Sequence, residues 1–405
     1  MLLTEDKEID IFVASKIGSF KHIKYHTNRS KNSKKCIENL VDIKSLQKDD
    51  SITCMEWGNG DQTEVLLGRT NQEIQIYNTE KRAVTKTYTA DFSTGHIVGL
   101  GRCKRKVLAA LSSGVVKIWS RKDENIVETG KLDTMRVCTD EPTMFATGGE
   151  ENDLKIWRVG DSVPIFSAKN LAHDWLQLRR PVWVTDLTFL PGEGGHLAAA
   201  CSRHGYVRMY DSRVQRRPVI NVDFEMAATC ITPSFDERQV LVGFGRGQLH
   251  QVDLRKAKPD KGYKGAAGAI TDIAIVPADK LIVSTSLDRH LRIHKYDTKE
   301  LVYKQYLTSK LSKVLVQTTC NTPLLSGPVE ETKSEVDEMD QIFDRMETVS
   351  EQSKTKSDDQ IPAKKSKHSD PEEAIKNLLR KTEKTKKKRE QRKREKKTKS
   401  VFHNA

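Results

Sequence analysis

The chain has 405 residues, 31% of them charged and 6% aromatic, and a formal net charge of +13 at pH 7. That length allows one large domain or two to three ordinary ones. No apolar run approaches the roughly eighteen residues that span a bilayer, and Met1–Asp10 is acidic without the apolar stretch of a signal peptide. The seven cysteines (Cys36, Cys54, Cys103, Cys138, Cys201, Cys230, Cys320) stand singly, with no Cys-x-x-Cys pair. A disulfide framework and a structural zinc site are therefore disfavoured, and a reducing compartment is expected.

The charge is unevenly placed. Residues 376–405 hold fourteen Lys and Arg against three Asp and Glu, and residues 321–375 hold seven against fourteen. A mildly basic body is followed by an acidic stretch and then a very basic tail, an asymmetry that suggests a nucleic-acid or acidic-protein partner.

Seven copies of one pattern follow along the body: a short apolar strand, a tight turn, and an alternating strand closing on an aromatic or apolar residue. They are Ile11–Ile23, Val65–Tyr77, Val107–Trp119, Phe145–Trp157, Leu197–Tyr210, Val240–Val252 and Ile282–His294. Each reads as a β-hairpin. Their last residues are spaced by 54, 42, 38, 53, 42 and 42 positions. A spacing of about 42, with four strands per unit, marks a WD-type β-propeller blade. The two long steps locate insertions, one over His26–Lys35 and one over Lys169–Pro181.

The remaining strands fall between the hairpins. Inner strands are expected at Ile52–Trp57, Val184–Leu190, Ala228–Thr232 and Ile270–Val276, and outer strands at Ala83–Tyr88, Ile126–Lys131, Pro164–Ala168, Val219–Val222 and Leu301–Tyr306. Blade 1 has no inner strand ahead of it. Lys313–Gln317 is a lone strand after the last blade, and placing it in blade 1 closes the ring and removes the open sheet edges. The expected fold class is all-β: a seven-bladed WD-type propeller over residues 1–320, closed by a C-terminal strand. A disordered acidic linker follows over 321–370, and a basic tail with helix-forming signals over 371–405. Trp-Asp never closes a hairpin, Tyr210-Asp211 coming nearest, so packing holds the blades more than the usual polar network does.

The hairpin turns share one face of a propeller. They carry Lys16, Arg69, Arg203, His204, Arg246 and Arg289. The Lys169–Pro181 insertion enters on the same face and adds Asp174, Trp175, Arg179 and Arg180. Basic side chains beside aromatics suit RNA phosphates with stacked bases, or an acidic protein partner. The plain alternative is an ordinary charged surface with Trp175 packed beneath its own loop.

The run Asn170-Leu171, Asp174-Trp175-Leu176-Gln177-Leu178-Arg179-Arg180-Pro181-Val182-Trp183-Val184-Thr185-Asp186 resembles the signature of the WD repeat-containing protein 74 family, whose fungal counterpart is the Nop-seven-associated factor. Phe145–Trp157 is similar to that family's fourth blade, and the resemblance covers most of residues 1–320. It implies a non-enzymatic factor in nucleolar maturation of the large (60S) ribosomal subunit. Such a factor sits on pre-60S particles, contacts pre-rRNA and other assembly factors, and is released by a AAA-type ATPase. A monomer within that larger complex is expected, in the nucleus and nucleolus, away from membranes and without a small-molecule substrate. The rival function is another nuclear WD-repeat scaffold, a chromatin or ubiquitin-ligase adaptor.

Beyond the body, Val336–Met346 has the spacing of a short acidic amphipathic helix that could dock a partner. Asp370-Pro371-Glu372-Glu373 is a helix-start signal. The run holding Lys384, Lys386, Lys387, Lys388, Arg389, Arg392, Lys393, Arg394, Lys396 and Lys397 reads as a nuclear or nucleolar targeting and RNA-phosphate segment, with Lys364, Lys365 and Lys367 adding to it.

Catalytic patterns are weak. Gly243-Phe244-Gly245-Arg246-Gly247 sits in a hairpin turn with no helix to follow, unlike a phosphate-binding loop. His173-Asp174 has no nucleophile placed beside it, His22, His250 and His294 lie in strands, and no cluster has metal-ligand spacing. The sequence points to a binding platform without a cofactor.

Overall fold

The computed structural model describes residues 8–318 apart from 28–31, 33–35, 43, 45, 48, 105 and 120–123. Its hairpins form as the hydropathy pattern dictates. Lys106–Leu111 is buried at every position after the first, whereas Val115–Trp119 alternates between half-buried and buried. The first strand is therefore enclosed on both faces and the next on one.

Seven four-stranded antiparallel sheets result. Six follow chain order from the innermost to the outermost strand. The seventh joins Leu311–Val316 to Glu8–Ser15, Phe20–His26 and Ile37–Asn39, with Val314 opposite Val13 and Val316 opposite Ile11. The end of the chain thus supplies the innermost strand of blade 1 and closes a β-propeller. It begins two residues earlier than the periodicity predicts.

The core is a ring of seams. Among the described residues seven buried apolar clusters form, and each joins two neighbouring blades. Between blades 4 and 5, Ala146 faces Val184, Ala198 and Ala200, and Tyr210 closes the seam. Small residues let the sheets approach: a Cβ on Gly148 would lie 2.8 Å from the Val184 side chain. The aromatic residues that end the hairpins, Tyr77, Trp119, Trp157 and Tyr210, are all buried.

Polar links reinforce the seams. Each of Thr53, Thr185 and Thr229 sits at a β-bulge of an innermost strand and donates its hydroxyl to the next blade, at Ile97, Ala228 and Ile270 carbonyls respectively. Within blade 4, Trp157 Nε1 donates to Thr147 Oγ1 at 2.9 Å. Blade 7 uses a different device: Asp288 in the hairpin turn accepts from Arg292 and Ser286, and Arg292 Nη1 also reaches Ser286 Oγ at 2.8 Å.

The outer strands depart most from expectation. Blade 4's is only Phe166–Ser167, because Pro164 has no N–H for the ladder. Blade 3's is Glu124–Glu128 and stops before Gly130, whose φ is +84°. The segments 321–370 and 371–405, with Val336–Met346 and the helix-start signal, lie outside the described residues, as does most of the His26–Lys35 insertion.

The interaction face and the central channel

The insertion between blades 4 and 5 is a closed loop with a shaped tip. Asn170 Nδ2 donates to the Arg180 carbonyl at 2.6 Å and pins the two ends of the loop together. At the tip, Asp174 N–H donates to Leu178 O at 3.1 Å and Gln177 N–H to Asp174 O at 2.9 Å. Asp174 Oδ1 accepts the N–H groups of Leu176 and Leu178 at 2.9 and 2.8 Å. Gln177 sits at φ 62°, the left-handed position that such a turn requires. Asp174 therefore shapes the loop from within.

The tip carries its apolar side chains outward. Trp175 is 88% exposed, Leu176 55% and Leu178 59%. The alternative in which Trp175 packs beneath its own loop does not hold. The loop is docked on blade 4 through Arg179, whose Nη2 lies 3.0 Å from Glu151 in that blade's hairpin turn. Glu151 N–H donates to Val182 O at 3.0 Å beside it. Arg180 has no ion-pair partner among the described residues.

The predicted basic residues separate into distinct environments. Arg203 and His204 occupy blade 5's turn, where the Arg203 guanidinium lies 4.4 Å from the Trp183 ring and the His204 ring 6.5 Å from it. Trp183 Nε1 in turn donates to Asp133 Oδ2 at 2.7 Å, so this stack is tied to blade 4. Arg246 and Lys16 are exposed in the turns of blades 6 and 1. Arg289 is exposed in that of blade 7 and reaches the Tyr306 hydroxyl at 3.2 Å. Arg69 is only 4% exposed, and its guanidinium donates to the Asp50 carbonyl and Gln75 Oε1. It holds its own blade and presents no surface. The face is also less uniformly basic than the turn residues suggest, because blade 4's turn carries Glu150 and Glu151 and the incoming connections bring Asp91, Asp133 and Glu225. The tail set, from Lys364 to Lys397, lies outside the described residues.

The central channel holds a charge cluster that the periodicity argument does not reveal. Glu56, Arg136, Asp186, Asp272 and Lys313 come from five different innermost strands. Arg136 lies 3.3 Å from Glu56, 3.4 Å from Asp186 and 3.9 Å from Asp272, and Lys313 lies 3.7 Å from Asp272. Each aspartate also accepts an N–H from the next blade, Asp186 from Ile231 at 3.2 Å and Asp272 from Val314 at 3.0 Å. Arg136 thus spans the channel, and the aspartates couple blades 5 to 6 and 7 to 1. A trace of this is visible in the sequence. Val184-Thr185-Asp186, Ile270-Thr271-Asp272 and Leu311-Ser312-Lys313 place a charge at the same position of an otherwise apolar strand.

The electrostatics follow from burial and pairing. Asp186 pushes the Arg136 guanidinium further up, against burial. Burial raises the Asp186 carboxyl, but the charges of Arg136 and Lys313 and the Ile231 N–H outweigh it and hold the group below the usual range. Burial dominates at Glu56 and raises it, since Arg136 and Lys313 are shared with the two aspartates. A cavity of about 120 Å³ at this end of the channel is lined by Thr53, His96, Asp133, Arg136 and Thr185 among others. Cys54, which lines this cavity, and Cys201, buried in the seam between blades 5 and 6, have thiols pushed up to about 12 by burial, which leaves them protonated. Among the described residues no three His, Cys, Asp or Glu side chains are grouped to hold a metal. The arrangement can bind and brace.

Residues 257–295 match the WD domain, G-beta repeat family. That stretch begins at the outermost strand of blade 6 and ends with the third strand of blade 7, so the sequence repeat is offset from the structural blade. Human WD repeat-containing protein 74 is 32% identical over 282 residues, which cover 67% of this chain and 73% of the human one. This chain belongs to the WD repeat-containing protein 74 family. A Schizosaccharomyces pombe protein named ribosome biogenesis protein nsa1 is 25% identical over 343 residues, covering 75% of this chain and 86% of its own. Membership of the WD repeat-containing protein 74 family agrees with the loop signature over Asn170–Asp186. A chain of the mitotic checkpoint complex superposes with a TM-score of 0.57 at 14% identity over 70% of this chain and 83% of its own, a likeness of fold alone.

Proposed function

We propose that this chain is a non-enzymatic scaffold for assembly of the large (60S) ribosomal subunit, acting in the nucleolus. One observation carries the reading: a fission yeast relative named as a ribosome biogenesis protein aligns along 75% of the chain. The site supports it physically. The channel charges are paired with one another, whereas Arg203, Arg246 and Arg289 on the hairpin-turn face are exposed, Arg203 beside the Trp183 ring and Arg289 beside the Tyr306 hydroxyl.

The finer reading has three parts. The hairpin-turn face with the Asn170–Arg180 loop contacts pre-60S proteins and pre-rRNA. The basic tail over 371–405, tethered by the acidic linker over 321–370, directs the chain to the nucleus and nucleolus and holds RNA phosphates. A AAA-type ATPase removes the chain when the particle matures. Purification of the tagged full-length chain tests this. Large-subunit precursor RNA and assembly factors should co-purify, and RNase should strip part of that set. Recovery of chromatin or a ubiquitin ligase instead, indifferent to RNase, would overturn the reading in favour of another nuclear scaffold.

A further inference from the structure

We propose that the Asp174–Leu178 tip is a preformed apolar plug that seats in an apolar, acid-rimmed cleft of a protein partner. The inference deepens the reading of this face as a partner-binding face and rests on it. Three observations lead here.

The tip is already ordered. Asp174 fixes the turn through two backbone N–H groups, Asn170 fixes the neck, and Arg179 fixes the loop to blade 4. A loop held in its bound shape loses little conformational freedom on binding. What the turn presents is apolar: Trp175, Leu176 and Leu178 are all exposed within four consecutive residues. Tryptophan and arginine are the residue types most enriched among the anchors of protein interfaces, and the two leucines add apolar area around the ring.

The surroundings favour protein over RNA. A base-stacking site sets its aromatic ring among unpaired cations that hold the phosphates. Here Trp175 stands between Asp174 and Leu176, with Leu178 close behind, and none of these attracts phosphate. Arg179 is neutralised by Glu151, and Glu150 in the same turn is paired with Lys131. Neither pair leaves a cation free for a phosphate. At the neck of the loop, exposed Lys169 and half-buried Arg180 suit carboxylates on the rim of a protein cleft instead.

The test uses the full-length chain. A photo-crosslinking benzoylphenylalanine at position 175 should give, in cells, an adduct that survives RNase and maps to a peptide of apolar residues bordered by Asp or Glu. The same protein should be retained by the Trp175→Phe variant within about twofold, and lost at least about tenfold by a Trp175→Ser, Leu178→Ser double variant. Because these side chains are exposed, the double variant should melt with the wild type. An adduct to nucleotide, no adduct, unchanged retention by the double variant, or a lowered melting temperature would each overturn the plug. Failure of the wild-type chain to associate with ribosome precursors would instead count against the proposed function, while the crosslinked peptide still decides what the plug meets.

Discussion

Asp288 shows how one side chain can replace a familiar network. Burial raises its carboxyl, but hydrogen bonds from Arg292, Ser286 and the Ala267 N–H outweigh this and hold it well below its ordinary 3.8. His290 lies 3.5 Å away on the same hairpin. The sign follows from linkage: the stability Asp288 contributes is fully present above pH 3.8 and is lost as pH falls below it. Melting temperature followed from neutral pH down past 3.8 should drop, and Asp288→Asn should start lower and fall less steeply. Arg136 sets a second test. Arg136→Met leaves three carboxylates facing Lys313 alone and should cost roughly 3 kcal/mol in denaturant unfolding. An unchanged midpoint would make the channel cluster dispensable to the fold. Neither role can be read from composition, because a charged residue in a strand looks the same whether it is paired across a channel or solvated.

The hairpin and the strand order are the elements most legible in the sequence. Matched endings at Tyr77, Trp119, Trp157 and Tyr210 follow from packing at four of the seven seams, so they recur at the blade period. The outermost strands are less legible because one edge faces water and tolerates almost anything. Lys258–Tyr263 includes Lys258-Pro259-Asp260-Lys261-Gly262, a turn-like composition, yet it forms blade 6's outer strand with Pro259 opposite Val252 at a bulge, where its missing N–H matters least. The candidate loop was legible as an interruption of the period, and its tip geometry was not, since Asp174 looks like a surface acid until its turn bonds are seen. Arg69 is the converse, a turn arginine that proves buried. Closure gives the element-scale prediction. Leu311, Val314 and Val316 are all buried, so ending the chain before Leu311 should cost roughly 5 kcal/mol and expose the edge of Glu8–Ser15 to aggregation. Ending it after Thr318 should leave the melting temperature unchanged. Equal stability of the two truncations would show that the last strand does not close the ring.

Over the whole molecule, the propeller braces itself internally by seven apolar seams and a paired channel, and it faces outward with a loop and a set of turns. That division separates the work of the body from that of the tail. Deleting residues 376–405 removes fourteen of the 69 Lys and Arg. It should reduce nuclear and nucleolar accumulation and weaken RNA-dependent association, with steeper loss as salt rises, while the propeller melts as before. Unchanged localisation would assign the tail a merely solubilising role. The central claim is that this chain acts on precursors of the large ribosomal subunit. Gradient sedimentation of the tagged full-length chain tests it most directly. The account predicts a peak with pre-60S particles that shifts to lighter fractions after RNase, and sedimentation as a free protein or with an RNase-resistant complex lacking large-subunit precursors would contradict it.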